Sequence, residues 1–130
     1  MKKGKVTFKV HKESKGYSAS AVVQDNFIST QAESFEELKY SMLEALNFTM
    51  EEEGVIYGMD HLRMEYDLES FFDFYKVINA KALSERIGMN QSLLAQYIKG
   101  IKKPSAAQTK RIMEGVHQIG KELTEVRFLI

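Results

Sequence analysis

The chain contains no cysteine, no tryptophan and a single proline in 130 residues. Without cysteine there is no disulfide framework, no thiolate metal site and no thiol nucleophile. That fits a reducing cytosol, so a cytoplasmic protein is expected. Long apolar runs are missing too. Nothing approaches the ~18 consecutive apolar residues of a spanning helix, so no membrane partner is expected. Met1-Lys2-Lys3-Gly4-Lys5 is basic, but the apolar stretch of a secretion signal does not follow it. Net charge is also absent, since 18 Lys plus Arg face 18 Asp plus Glu. What remains is 44% hydrophobic and 28% charged, ordinary for a globular protein, and this sets aside disordered and low-complexity architectures.

The zero net charge is a cancellation between halves. Residues 1–68 hold eight basic residues against twelve acidic ones, a balance of −4. Residues 69–130 hold ten against six, a balance of +4. Within 76–111 there are eight cations (Lys76, Lys81, Arg86, Lys99, Lys102, Lys103, Lys110 and Arg111) and Glu85 alone opposes them. Such asymmetry points to a polyanion partner on one side only.

The first half reads as a small sheet with one long helix. Val6, Phe8 and Val10 alternate with Lys5, Thr7 and Lys9, the period of a half-buried strand. Tyr17, Ala19, Ala21 and Val23 form a second alternating run, and Phe27 to Gln31 a third. Gln24-Asp25-Asn26 between them suits a turn. Ser34-Phe35-Glu36-Glu37 has the form of a capping box. Phe35, Leu38, Met42, Ala45, Leu46 and Thr49 follow at helical spacing, with Gly54 as a stop. Glu51-Glu52-Glu53 would then sit at the unfavourable end of the helix dipole. Leu62, Met64, Tyr66 and Leu68 alternate again and predict a fourth strand.

The second half reads as helical. Ser70 to Ile78 carries Phe71, Phe72, Phe74 and Tyr75, mostly core. Adjacent aromatics cannot all face one way on a helix, which leaves some for an interdomain or dimer contact. Asn79 can cap a helix ended by Gly88, and Asn90 one ended by Gly100. Ser105-Ala106-Ala107-Gln108 is a further capping box, followed by Ile112, Val116, Ile119 and Leu123 at helical spacing. Gly115 and Gly120 predict that this last helix bends or stops early, since each costs up to ~1 kcal/mol. Glu125 to Ile130 is a candidate short strand, and whether Val126 to Ile130 joins the sheet or a partner chain stays open.

Two short helices meeting at Gly88-Met89 have the spacing of a helix-turn-helix. The second begins with Asn90, Gln91 and Ser92, and Gln96 lies one turn on. Gln and Asn can bond adenine in a bidentate manner, and Ser can contact bases or phosphate. Lys99, Lys102 and Lys103 stand where the chain would leave the groove, as phosphate contacts. The string Ala82-Leu83-Ser84-Glu85-Arg86-Ile87-Gly88-Met89-Asn90-Gln91-Ser92-Leu93-Leu94-Ala95-Gln96-Tyr97-Ile98-Lys99-Gly100, then Lys103-Pro104-Ser105, resembles the phage-repressor-like helix-turn-helix family. The resemblance implies base contacts at Gln91, Ser92 and Gln96 and a DNA-binding set of Asn90, Gln91, Ser92, Gln96, Tyr97, Lys99, Lys102 and Lys103.

With that half placed, Gly16-Tyr17, then Thr30-Gln31-Ala32-Glu33-Ser34, then Glu36-Glu37-Leu38 resemble the HicB antitoxin domain. Its Pro-rich turn is replaced here by Gln24-Asp25-Asn26-Phe27, and its usual Gly by Ala32. The resemblance implies an α+β chain: a truncated ribonuclease-H-like βββαβ domain over 1–68, then an all-α helix-turn-helix domain over 69–130. It implies an antitoxin that blocks a small basic RNase toxin of the HicA kind and represses its own operon by binding double-stranded operator DNA as a homodimer or higher oligomer. The alternative is a stand-alone transcriptional regulator whose first domain dimerises or binds a small ligand. No catalysis and no cofactor are expected. Asp25, Asp60, Asp67 and Asp73 have the residue type of a ribonuclease H metal site, but no pattern draws them together. His11, His61 and His117 are scattered, with no metal-ligand spacing.

Overall fold

The computed structural model describes residues 4–130, so Lys2 and Lys3, counted in the charge of the first half, lie outside the described residues. Among the described residues the architecture is α+β, with a four-stranded mixed sheet and five helices. In chain order these are β1 (Val6–Lys12), β2 (Tyr17–Val23), β3 (Asn26–Ala32), α1 (Phe35–Thr49), β4 (Leu62–Tyr66), α2 (Leu68–Phe74), α3 (Ala80–Ile87), α4 (Gln91–Ile98) and α5 (Ala106–Thr124). Two compact units divide the chain, the first ending at Phe74 and the second spanning Tyr75–Ile130. The division lies beyond α2, later than the 68/69 boundary expected from sequence.

In the first unit the strand order is β3-β2-β1-β4. β1, β2 and β3 form antiparallel hairpins, and β4 returns parallel to β1 after the α1 crossover. Gln24 and Asp25, the two residues between β2 and β3, both have positive φ (49° and 68°). Two such residues give the turn whose twist matches the flanking strands. Phe8, Val10, Ala19, Ala21 and Ile28 are buried on one face of the sheet, as period two requires, against Leu38, Met42 and Leu46 of α1. Each large side chain so buried contributes about 1.5–3 kcal/mol. The Ser34 hydroxyl accepts from the Glu37 N–H at 3.1 Å and starts α1. The helix ends at Thr49, before Glu51–Glu53, which form a separate 3-10 turn closed by Gly54. Asn47 then pins the returning loop: its Oδ1 accepts from the Tyr57 N–H at 2.7 Å, and its Nδ2 donates to the Tyr57 carbonyl at 3.1 Å.

The fourth strand stops at Tyr66, and Leu68 opens α2 instead of extending the alternation. The aromatic helix is also shorter than Ser70 to Ile78. Polar and aromatic contacts draw α2 to the first unit. Buried Ser70 accepts from the Lys12 backbone N–H at 2.7 Å and donates to Asp67 Oδ1 at 2.6 Å. Asp73 accepts from the Tyr17 hydroxyl and from Lys12 Nζ, both at 3.0 Å. Burial, and then that hydrogen bond, hold the Tyr17 phenol above its ordinary pKa, while the bond to Asp73 raises the Lys12 ammonium. Phe74 stacks on Phe35 at 4.3 Å between centroids and meets Tyr17 at 4.5 Å and Tyr66 at 5.2 Å. Phe71 packs edge-on to Tyr66 at 6.0 Å. These rings therefore complete the first unit's own packing.

The second unit is built from α3, α4 and α5 around buried Leu83, Met89, Leu94 and Ile112. Asn79, Asn90 and Ser105 each accept a backbone N–H from the first turn of the helix they precede. The Gln108 side chain is turned to Arg111, whose Nη1 donates to its Oε1 at 2.9 Å, so the box predicted there is formed only in its Ser105 half. α5 runs for 19 residues to Thr124, through both glycines, and residues 126–130 form no strand. Gly115 is buried, and a Cβ there would collide with Ile87 Cγ2 and press on Leu83 Cδ1. The residue read as a helix weakness is what lets α3 approach α5. Ile87 is β-branched and stiff at χ1, so it yields little. Gly115→Ala should accordingly lower the melting temperature of the second unit, with overpacking of about 1–3 kcal/mol exceeding the ~1 kcal/mol gain in helix propensity. A rise in the calorimetric melting temperature would contradict this packing.

Candidate nucleic-acid interface

α4 is framed by two matching turns. Gly88 has φ 69°, and beside it the Met89 N–H bonds the Ser84 carbonyl at 2.9 Å and the Gly88 N–H bonds Glu85 at 3.3 Å. Gly100 has φ 77°, with Ile101 N–H to the Gln96 carbonyl at 2.9 Å and Gly100 N–H to Tyr97 at 3.1 Å. Both are Schellman closures, in which a left-handed residue lets two crossed hydrogen bonds satisfy the last carbonyls. The first ends α3 and turns the chain into α4, and the second ends α4. Met89, just past the first, is buried.

Leu94 faces the core, and the opposite side of α4 follows from helical spacing. At about 100° per residue, Ser92, Gln96 and Lys99 lie on the outward face, whereas Gln91, in the first turn, is about 60° from Leu94 and stands to the side of that face. Gln91, Ser92 and Lys99 are exposed and Gln96 half-exposed. Asn90 is committed to capping, its Oδ1 accepting from Leu93 N–H at 3.1 Å. Tyr97 is half-buried and shares a side with Leu93, four residues before it, away from Ser92 and Lys99. Lys102 and Lys103 are exposed in the loop before α5. The fold therefore gathers Gln91, Ser92, Gln96 and Lys99 on one helix, with two further lysines just beyond it, and sets Asn90 and Tyr97 to structural positions.

The eight cations of 76–111 are not equivalent. Arg86 makes two bonds to the Glu122 carboxylate, at 2.9 and 2.8 Å, and ties α3 to α5. Arg111 Nη2 donates to the Ile87 carbonyl at 2.8 Å and to the Gly88 carbonyl at 3.2 Å, placing its charge at the negative end of the α3 dipole. Lys110 is 3.9 Å from Glu114. Among the described residues, Lys81, Lys99, Lys102 and Lys103 have no acidic partner. These long-range roles of Arg86 and Arg111 carry no local sequence signal. Moving the boundary to Phe74/Tyr75 transfers Glu69 and Asp73 to the first unit, so the balances become −6 and +6. The first turns of α3, α4 and α5 hold no acidic side chain, so no carboxylate offsets the positive end of these helix dipoles.

Elsewhere, Asp67 and Asp73 are engaged with Ser70, His11, Lys12 and Tyr17. Among the described residues no three His, Asp or Glu side chains are grouped to hold a metal ion, and no helix is long and apolar enough to cross a membrane. No family model, no curated protein and no solved structure matches the chain.

Arg86 holds the Glu122 carboxyl below the ordinary glutamate pKa, with Gln118 assisting. A carboxyl depressed in the folded state adds stability above its unfolded pKa and loses it as pH falls through the folded value. Wild-type protein should thus lose thermal stability on acidification below about pH 4.3, the ordinary glutamate value. Glu122→Gln should flatten that limb while leaving secondary structure intact. An unchanged acid limb in melts across this range would remove Glu122 from the account.

Proposed function

We propose that this chain is an antitoxin and autorepressor, in which the second unit reads operator DNA and the first blocks a small basic RNase toxin. In this reading α3 and α4 are a helix-turn-helix and β1-β2-β3-α1-β4 a HicB-type βββαβ unit. The observation that carries the DNA half is the outward face of α4, where Ser92, Gln96 and Lys99, flanked by Gln91, precede the unpaired Lys102 and Lys103. Amide and hydroxyl groups on an exposed helix face are the chemistry of base-edge recognition in the major groove. Lysines without acidic partners are available to phosphate oxygens, which orient the helix but carry no sequence information. Two copies would read two half-sites about one helical turn apart.

Support for the toxin half is electrostatic and apolar together. The first unit carries −6. Two shallow depressions flank α1, one lined by Thr30, Ser41, Glu44, Ala45 and Phe48, the other by Glu36, Lys39, Tyr40, Met59, Leu62 and Met64. Phe48 in the first and Tyr40 in the second are exposed. Exposed aromatics among carboxylates suit a basic protein surface, with charge steering the encounter and apolar contact holding it. Occlusion of the promoter by the bound second unit would give repression.

Variants separate the two kinds of contact. Gln91→Ala or Gln96→Ala should relax base preference by about 1–3 kcal/mol at one position of the half-site, whereas Lys103→Ala should weaken all sequences alike. Fluorescence anisotropy against a panel of singly substituted operators reads both. Uniform loss from the glutamine variants would argue against base readout by α4. Co-expression with the product of a neighbouring short, basic reading frame should rescue growth. Failure to rescue or co-purify leaves the stand-alone regulator.

A further inference from the structure

α5 carries two glycines, and the chain itself accounts for only one. Gly115 makes room for Ile87, whereas Gly120 has nothing within 4 Å of where its Cβ would stand. It is nevertheless mid-helix, where only proline is less favourable. Its surroundings are apolar and uncovered. Residues 113, 116, 120 and 123 fall within roughly 80° of one another on α5 at about 100° per residue. Met113 is 50% and Leu123 64% exposed, and just past the helix Phe128 is 87% exposed. Leu129 is fully exposed beside it, and Val126 is 43% exposed. Monomeric proteins seldom leave so many large apolar side chains in water along one helix face and the segment that follows it.

Charge says what covers it. From 112 to 130 two cations, Lys121 and Arg127, meet three anions, Glu114, Glu122 and Glu125. The 76–111 window holds eight cations against one anion. Two copies meeting through that window would repel, while two copies meeting through this stretch would not. We propose that a second copy of this chain docks here, α5 against α5 about a two-fold axis, crossing closely at Gly120. Segment 126–130 of each copy then lies over the other's helix. In an isologous contact each patch buries its own counterpart, so every exposed side chain counts twice. Phe128 alone supplies about 150–250 Å² on burial, and with its apolar neighbours the patch is on the order of the ~800 Å² per partner of a standard interface. The proposal deepens the DNA-binding reading, and rests on it only for the consequence that α5 pairing sets half-site spacing.

Sedimentation equilibrium of the full chain, without DNA, tests it. The wild type should dimerise at micromolar concentration. Leu123→Glu, Phe128→Asp and Gly120→Met should each weaken dimerisation by more than about tenfold, with circular dichroism unchanged. Phe128 lies outside every helix, so that variant tests the face without risk to the fold. A monomeric wild type, or a dimer indifferent to any of the three substitutions, overturns the proposal whatever the DNA result. A dimer that these variants break but that fails to bind DNA upholds the proposal and defeats the DNA-binding reading instead.

Discussion

The geometry of α4 depends on two glycines held at positive φ. Gly88 and Gly100 each close a Schellman motif, and together they limit α4 to the eight residues Gln91–Ile98. A side chain in that backbone conformation costs about 1–2 kcal/mol, so glycine is the residue that lets the chain stop twice within a dozen positions. With both ends fixed and Leu94 buried, little freedom remains in which residues face outward. Ser92, Gln96 and Lys99 are outward because Leu94 is inward and the helix is too short to be otherwise. Arg111 reinforces the first closure from α5 by bonding the Ile87 and Gly88 carbonyls.

The same economy explains the charge pattern. A surplus of cations in a sequence window does not say how many are available to a ligand. Arg86, Arg111 and Lys110 are engaged within the second unit, and the lysines left without acidic partners include Lys99, Lys102 and Lys103, at and beyond the end of α4. Structural use thus concentrates the remaining positive charge beside the polar helix face. α2 adds Glu69 and Asp73 to the first unit and deepens its charge from −4 to −6. There Asp73 is held by Tyr17 and Lys12 and is a structural group.

Local signals were legible in the sequence and distant ones were not. The alternation in Val6, Phe8 and Val10 and the caps at Ser34, Asn79, Asn90 and Ser105 report contacts made within a few residues, and the structure forms each of them. The aromatic spacing of Ser70 to Ile78 predicts a helix that runs past Phe74, whereas the rings that hold Phe74, those of Tyr17 and Phe35, lie far back in the chain. Leu68 kept the strand alternation but became the first residue of α2, since Asp67 accepts from the Ser70 N–H there. Gly115 read as a weakness because propensity is local and the Ile87 contact is not. In the candidate interface, spacing puts Gln96 one turn beyond Asn90, Gln91 and Ser92 and sets Lys99 with Lys102 and Lys103; that Lys99 shares a face with Ser92 and Gln96 follows from the burial of Leu94. The position of Tyr97 beside Leu93 needed the burial of Leu94 to be seen, while the cap legible at Asn90 is the duty that takes it from the DNA-binding set.

The central claim is that phosphate contacts from the lysines beyond α4 anchor this chain on duplex DNA. Each neutralised phosphate releases counterions, so the logarithm of the binding constant should fall with the logarithm of salt by about 0.9 per contact. Three unpaired lysines from each of two copies predict a slope of about −5 for the duplex upstream of the chain's own coding sequence. The measurement is that slope. A steep linear fall, made shallower by Lys103→Ala, is the predicted result, and binding insensitive to salt would contradict the account.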